Sequence, residues 1–283
     1  MIDKQIEIYT LNNKREDIEH IGKYYPVYAS CNLIINKSKG HTKVHGMCMR
    51  AAYYSCIGLS ESTINTNRMI ARKLGDYTEY MLLSVLDKNG SMVEKGVKFI
   101  NETHNISGKL DAIIKVDDIE SGVEIKSIGS NKWTVSEIFG SQWNKAKPKI
   151  EHLLQCIVYL NCFIGRLDKF YLVYIRRDTG EIKEFEISLA LIDGILYPTV
   201  DGIILYELNS KNIFDRYIKL HEYLTNNQVP PRDYNFIYSQ DYAKELYEDG
   251  FLSKFMYNKH LETPIGDFQC FGCGHRDICI KDK

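Results

Sequence analysis

Two hydrophobic periods alternate along this chain. Ile70, Leu74, Tyr77, Met81 and Val85 follow one another at steps of four, three, four and four, an amphipathic helical stripe that Asn89-Gly90 would end. Residues 46–90 therefore read as predominantly helical. From Val97 onward the period changes to two. One strand is predicted around Val97–Ile100, a second over Ile106–Val116 and a third over Val123–Ser127, with Asp117 to Gly122 as the hairpin connection. A loop rich in Ser, Lys and Trp follows, then a helix from near Pro148 whose buried stripe is Leu153, Ile157, Leu160 and Ile164. Phe170–Ile175 and Ile182–Ile187 read as strands around an Arg176–Gly180 turn, and residues 204–226 as a further helical region closed by Pro230-Pro231. Strands with an intervening helix imply a mixed α/β sheet rather than an all-helical protein.

Composition narrows the class without naming a partner. At 283 residues the chain is long enough to bury a substantial core. Lys plus Arg total 36 against 37 for Asp plus Glu, so net charge gives no support to nucleic-acid binding, although a local basic channel is compatible with it. No stretch is apolar enough to cross a membrane, and Met1-Ile2-Asp3-Lys4 carries no signal-peptide pattern. Eight cysteines without secretory targeting favour a reducing, cytoplasmic compartment and argue against a disulfide scaffold.

Candidate chemistry concentrates in the predicted hairpin. Strand alternation puts Glu124 and Lys126 on one face and Val123 and Ile125 on the other, with Asp111 at the end of the partner strand. Carboxylates are hard oxygen ligands suited to Mg2+ or Mn2+, and such an ion would lower the pKa of a bound water and neutralise charge developing at phosphorus. Lys126 would orient the water or stabilise that charge. On the preceding helix Gly75 and Glu79 lie one turn apart, which makes Glu79 a candidate third acid. On the following helix Gln155 and Tyr159 are also one turn apart, offering an amide and a hydroxyl to a phosphate or to the lysine. Asp and Glu-x-Lys are frequent on solvated strand faces too, so the trio by itself does not define a site.

The ordered set Gly75-x3-Glu79, Asp111, Glu124-x-Lys126, Gln155-x3-Tyr159 resembles the PD-(D/E)XK nuclease superfamily, specifically its RecB-like branch. The resemblance implies a restriction-endonuclease-like α/β fold, a central mixed β-sheet flanked by helices, with helical additions and a C-terminal iron–sulfur segment. It implies that Asp111, Glu124 and Glu79 ligate the catalytic metal, that Lys126 is the active-site lysine, and that Gln155 and Tyr159 form the helix motif of this branch. Many RecB-like members carry His in the first-helix motif, where Glu79 stands here. On this reading residues 1–95 hold an N-terminal segment and helical region, 96–200 the nuclease core, and 201–283 a helical region with the iron–sulfur segment.

The spacing Cys270-x2-Cys273-x5-Cys279 suits a tight metal-binding loop. His275 would complete a local Cys3His zinc site, a distant cysteine would permit a [4Fe–4S] cluster, and Cys270 with Cys273 alone would make a redox pair. Cas4 nucleases and AddB-type subunits carry one cysteine before the core and such a trio after it, and Cys48-Met49-Arg50-Ala51-Ala52-Tyr53-Tyr54 is similar to the Cas4 Cys-x-Arg-x-x-Tyr-Tyr pattern, with Met49 where the family usually has Pro. That resemblance implies a [4Fe–4S] cluster on Cys48, Cys270, Cys273 and Cys279, stapling the chain ends together. Cys31 and Cys56 are weaker fourth ligands, and Cys156 and Cys162 read as core thiols.

The implied activity is that of a Mg2+- or Mn2+-dependent DNA exonuclease acting on single strands or duplex ends. The implied setting is a prokaryotic cell, or a virus-infected host, beside recombination, repair or CRISPR adaptation proteins. Lys132, Trp133, Trp143, Lys145, Lys147 and Lys149 mix basic and aromatic side chains, a pattern that would contact a DNA backbone and stack a base, or equally a solvated loop with two packing tryptophans. Two other readings stand beside the enzyme: a non-catalytic DNA-binding subunit and a zinc-stabilised interaction protein. Neither cleavage polarity nor oligomeric state follows from these motifs.

Overall fold

The computed structural model describes residues 25–26, 30–36, 41–59 and 66–282. In chain order its elements are β1 (Tyr25–Pro26), β2 (Ser30–Asn36), β3 (His41–Gly46), α1 (Met49–Cys56), α2 (Thr66–Lys88), β4 (Met92–Asn101), β5 (Ile106–Val116) and β6 (Ile119–Ile128). They continue with α3 (Lys132–Phe139), α4 (Ile150–Cys162), β7 (Lys169–Arg176), β8 (Ile182–Ile192), β9 (Ile195–Val200) and β10 (Ile203–Ile204). The C-terminal elements are α5 (Ser210–Thr225), α6 (Gln240–Glu248), α7 (Lys254–Glu262), α8 (Phe268–Phe271) and α9 (Arg276–Lys281). The chain divides into two compact units, one drawn from residues 1–31 and 64–218, the other from 32–63 and 219–283.

The first unit is a mixed α/β body, a central sheet flanked by helices. Among the described residues its eight strands run in the order β1-β5-β6-β7-β8-β9-β10, with β4 paired to the other edge of β5. β5 and β6 are antiparallel, whereas β6 and β7 are parallel and therefore need a crossover, which α3 and α4 supply. Alternation along the strands sorts the two faces. Ala112, Ile114, Val123 and Ile125 pack on Leu83 of α2, with Leu82 and Leu86 alongside. Residues of the opposite parity face α4, whose Tyr159 ring lies 5.7 Å from that of Phe170.

Several expectations change in detail. The stripe Ile70, Leu74, Tyr77, Met81 and Val85 is not the packed side of α2: all five are exposed, and Leu82, Leu83 and Leu86 make the contact with the sheet. The helix is apolar on two sides, so period alone does not choose between them. The hairpin turn is only Asp117-Asp118, both at positive φ (49° and 65°), and β6 begins at Ile119 rather than Val123. Positive φ at both central residues matches the twist of the flanking strands, and Asp tolerates it better than most side chains. α4 ends at Cys162, leaving Ile164 exposed beyond it, and α3 stands where a plain loop was expected.

In the second unit, Tyr238, Ala243, Leu246, Leu252 and Ile265 form a small core with Tyr242, Met256 and Tyr257. Polar contacts hold α1 in this unit. Arg50 Nε donates to Pro230 O at 2.6 Å, Met49 N to Asp233 Oδ2 at 2.6 Å, and Tyr54 OH to Asp282 Oδ2 at 2.7 Å. Tyr234 OH donates to Gly46 O at 2.6 Å. No helix among the described residues is long and apolar enough to cross a membrane.

Gly122 lies inside β6, and the Phe170 ring of β7 occupies the space a Cβ there would need. Gly122→Ala should therefore cost about 1–3 kcal/mol through overpacking. Urea denaturation checks this, and paired substitution with Phe170→Leu should recover part of the loss.

Candidate active site

The sheet opens at Asp111. On one edge β4 ladders β5 from Ile106 to Ile114. On the other edge β1 takes Ile106 and Ser107, and β6 takes Ala112 to Val116, so the β5–β6 ladder stops at Ala112–Val123. Just past that stop, the Asp111 carboxylate accepts the Ile125 N–H at 2.7 Å and bridges the parting strands. Glu124 and Lys126 project from β6 on the same face as Asp111, opposite to Val123 and Ile125. Glu124 Oε1 accepts from Lys126 Nζ at 2.5 Å.

α4 supplies the far wall. Gln155 Nε2 donates to Tyr159 OH at 2.7 Å, and the Tyr159 hydroxyl donates to Lys109 O at 3.1 Å, tying the helix to β5. Gln155 also faces Glu124 and favours its charged form, yet Glu124 Oε2 is buried without a hydrogen bond of ordinary geometry. Asp111, Glu124, Lys126, Gln155 and Tyr159 are thus brought together. Glu79 is near enough that its charge pushes the Glu124 pKa up.

Burial dominates the electrostatics. It pushes the Asp111 carboxyl up to about 7, with Glu124 adding to the rise, against the Ile125 N–H, Lys126 and Lys109. Burial raises Glu124 as well, against the Lys126 charge. For Lys126 burial works in the opposite sense, but Glu124 and Asp111 outweigh it and hold the ammonium above the usual lysine range. The lysine side chain is still 23% exposed, so a ligand can reach it.

The expected metal groups are not formed. Among the described residues no group of three or more His, Cys, Asp and Glu side chains is placed to hold a metal ion, which overturns both the Mg2+ or Mn2+ site on Glu79, Asp111 and Glu124 and the [4Fe–4S] cluster on Cys48, Cys270, Cys273 and Cys279. The contacts explain why. Asp111 spends one oxygen on Ile125 and Glu124 one on Lys126. The Cys270 thiol is pushed up to about 12 by burial, with Cys48, Asp267, Cys273 and Cys279 adding to the rise, and burial raises Cys48 as well, which disfavours the thiolate form at these two positions. His275, the zinc alternative, pairs through Nε2 with Ser55 Oγ at 2.8 Å. Residues 46–54 are joined to 230–282 by hydrogen bonds from Arg50, Met49, Tyr54 and Tyr234, the fastening role expected of a cluster.

Three residues join the site that sequence reasoning passed over. His152 Nδ1 lies 3.0 Å from Tyr174 OH, and burial, with the charges of Lys126 and Lys149, pulls its pKa down to about 3. Cys156 is a core thiol as expected, but it is also an electrostatic neighbour of Glu124, Lys126 and Asp111. Lys109 sits two residues from Asp111 on β5 and lowers its pKa. The signal was available: 152, 155, 156 and 159 lie on one helical face, and 109 and 111 on one strand face.

No family model and no curated protein matches the chain. Among solved structures, the chain in "Crystal structure of SSO0001" is similar at 22% sequence identity and a TM-score of 0.40, over 86% of this chain and 92% of that one. So loose a likeness carries no argument about chemistry, and the site is read from its own geometry.

The Asp111 carboxyl gives a pH signature. Its folded pKa of about 7 exceeds the ordinary 3.8, so between those values the folded chain holds a proton that the unfolded chain has released. Stability from this group therefore falls as pH rises through that window and stays low above it. Asp111→Asn should be near neutral at pH ~4 and stabilising by about 1–3 kcal/mol at pH ~8. Denaturant unfolding of both proteins at the two pH values checks this, and an equal difference at both would exclude a buried titrating carboxyl.

Proposed function

We propose that the first unit is a DNA phosphodiesterase, an exonuclease on a restriction-endonuclease-like sheet. The observation that carries the reading is the convergence of Asp111, Glu124 and Lys126 where β5 and β6 part, on a face walled by Gln155 and Tyr159. The order of these residues along the chain, resembling the PD-(D/E)XK set, supports it.

The chemistry needs a base, a cation and a fixed frame. A carboxyl titrating near neutrality is matched to general-base work, so Asp111 takes the proton of the attacking water as the P–O bond to the leaving nucleoside oxygen breaks and that oxygen takes a proton from solvent. The Lys126 ammonium, held charged by its two acids, meets the non-bridging oxygens as negative charge builds on phosphorus. Glu124 keeps Lys126 in place, and its orphaned Oε2 can accept from the water at the same time. Gln155 and Tyr159 fix the helix against β5, which keeps the separation of these groups constant.

End-labelled single- and double-stranded DNA tests the reading. The wild-type chain should release short products, and Asp111→Asn, Glu124→Gln and Lys126→Met should each slow release by about 100-fold or more while leaving the circular dichroism spectrum unchanged. The assay is run both in chelator and with divalent salt so that the outcome does not hinge on buffer ions. No product from either substrate in either buffer would sink the proposal, and tight binding without turnover would favour a non-catalytic DNA-binding subunit.

A further inference from the structure

Trp133 and Trp143 are the two tryptophans of the chain, and both stand in solvent, 86% and 84% exposed. Tryptophan is on average one of the more buried side chains, and two rings left in water on one short segment are a costly arrangement without a ligand. Their backbones are not loose. Asn131 Oδ1 accepts from Trp133 N and Thr134 N, both at 3.1 Å, and Ser141 Oγ accepts from Trp143 N at 3.2 Å and Asn144 N at 3.1 Å. The two turns are tied to each other, since Asn144 Nδ2 donates to Ser136 Oγ at 3.3 Å and Lys147 N to Glu137 O at 2.9 Å. Buried Ile138 anchors α3 beneath them. The rings are thus presented on one fixed scaffold.

The charge on this scaffold is one-sided. Residues 130–149 carry Lys132, Lys145, Lys147 and Lys149 against a single acid, Glu137, in a chain whose formal net charge is −1. The segment also leads into the site. Lys149 N donates to Tyr174 OH at 3.0 Å, His152 bonds the same hydroxyl, and the charges of Lys149 and Lys126 both act on His152. A polyanion lying along the lysines would be led to the face that carries Lys126.

We propose that Trp133 and Trp143, with the four lysines around them, form a stacking platform that grips single-stranded DNA and feeds it to the Asp111–Glu124–Lys126 face. Exposed rings stack on unpaired bases, which a duplex does not offer, while the ammonium groups pair with successive phosphates. The choice of DNA rests on the phosphodiesterase reading; the platform itself rests on the exposure, the scaffold and the charge.

Because the chain has only two tryptophans, tryptophan emission excited at the red edge, where its 20 tyrosines scarcely absorb, reports on this platform alone. The probe is oligo(dT) added to full-length Glu124→Gln protein, with an equal-length duplex, oligo(rU) and heparin as comparison ligands. Saturable quenching by oligo(dT), weaker with duplex, is expected. Trp133→Ala and Trp143→Ala should each weaken binding about 5- to 150-fold, and Trp→Phe at either position should recover part of the loss. Lys145→Ala with Lys147→Ala should flatten the logarithmic salt dependence by about 1.4 while quenching persists. Binding without an emission change, or heparin and oligo(dT) binding alike, overturns the platform, and preference for oligo(rU) overturns the DNA assignment. Quenching without cleavage by the wild-type chain retires the enzyme and keeps the platform. Cleavage with KM unchanged in both Trp→Ala variants does the reverse.

Discussion

Asp111 reaches across the gap where β5 and β6 part and takes the Ile125 N–H, and much of the first unit depends on that contact. An antiparallel ladder that simply stopped would leave backbone donors facing a dry interior, at a cost comparable to a lost hydrogen bond for each. The carboxylate satisfies one of them and so lets the strands diverge. Divergence in turn makes room for Glu124 and Lys126 on the same face and for α4 above them. A purely apolar residue at 111 would close the ladder problem less well and would remove the acid from the site.

The arrangement is electrostatically uneasy. Two carboxyls and one ammonium share a buried space, where burial first and the Glu124 charge second raise the Asp111 pKa by more than the Ile125 N–H, Lys126 and Lys109 lower it. Removing Lys126 would leave both acids unmatched, a loss that buried ion pairs punish more than their net worth suggests. The Gln155–Tyr159–Lys109 chain of hydrogen bonds supplies the stiffness that keeps such groups from relaxing apart. Stability given up at these positions while the surrounding core is packed tightly is the usual sign of a site shaped for chemistry.

The sheet was legible because its strands alternate cleanly. The pattern Val123–Glu124–Ile125–Lys126 predicts the faces that the packing realises, and the helix from Ile150 follows from Leu153, Ile157 and Leu160. What sequence obscured has physical causes. α2 carries two apolar sides, and only its contact with Ala112 and Val123 reveals that Leu83 faces inward. The Asp117-Asp118 turn hides because its positive φ values are taken by Asp without glycine's help. Cys48, joined to Cys270, Cys273 and Cys279 by the family resemblance, does lie in their electrostatic neighbourhood, but neither spacing nor resemblance says whether such thiols converge as ligands. His152 shares a helical face with Gln155 and Tyr159, which the sequence does carry, but its neighbours Lys126 on β6 and Tyr174 on β7 appear only in the fold.

Asp111 and His152 depart from their ordinary pKa values in opposite directions, up to about 7 and down to about 3. Between about pH 4 and 6.5 folding therefore gains a proton at the acid and forgoes one at the imidazole. Those two changes oppose each other, while Glu124 in the same cavity, its carboxyl also raised by burial, adds to the proton uptake on the side of the acids. The neutral imidazole thus opposes in sign, without erasing, the pH dependence that the buried acids impose on folding.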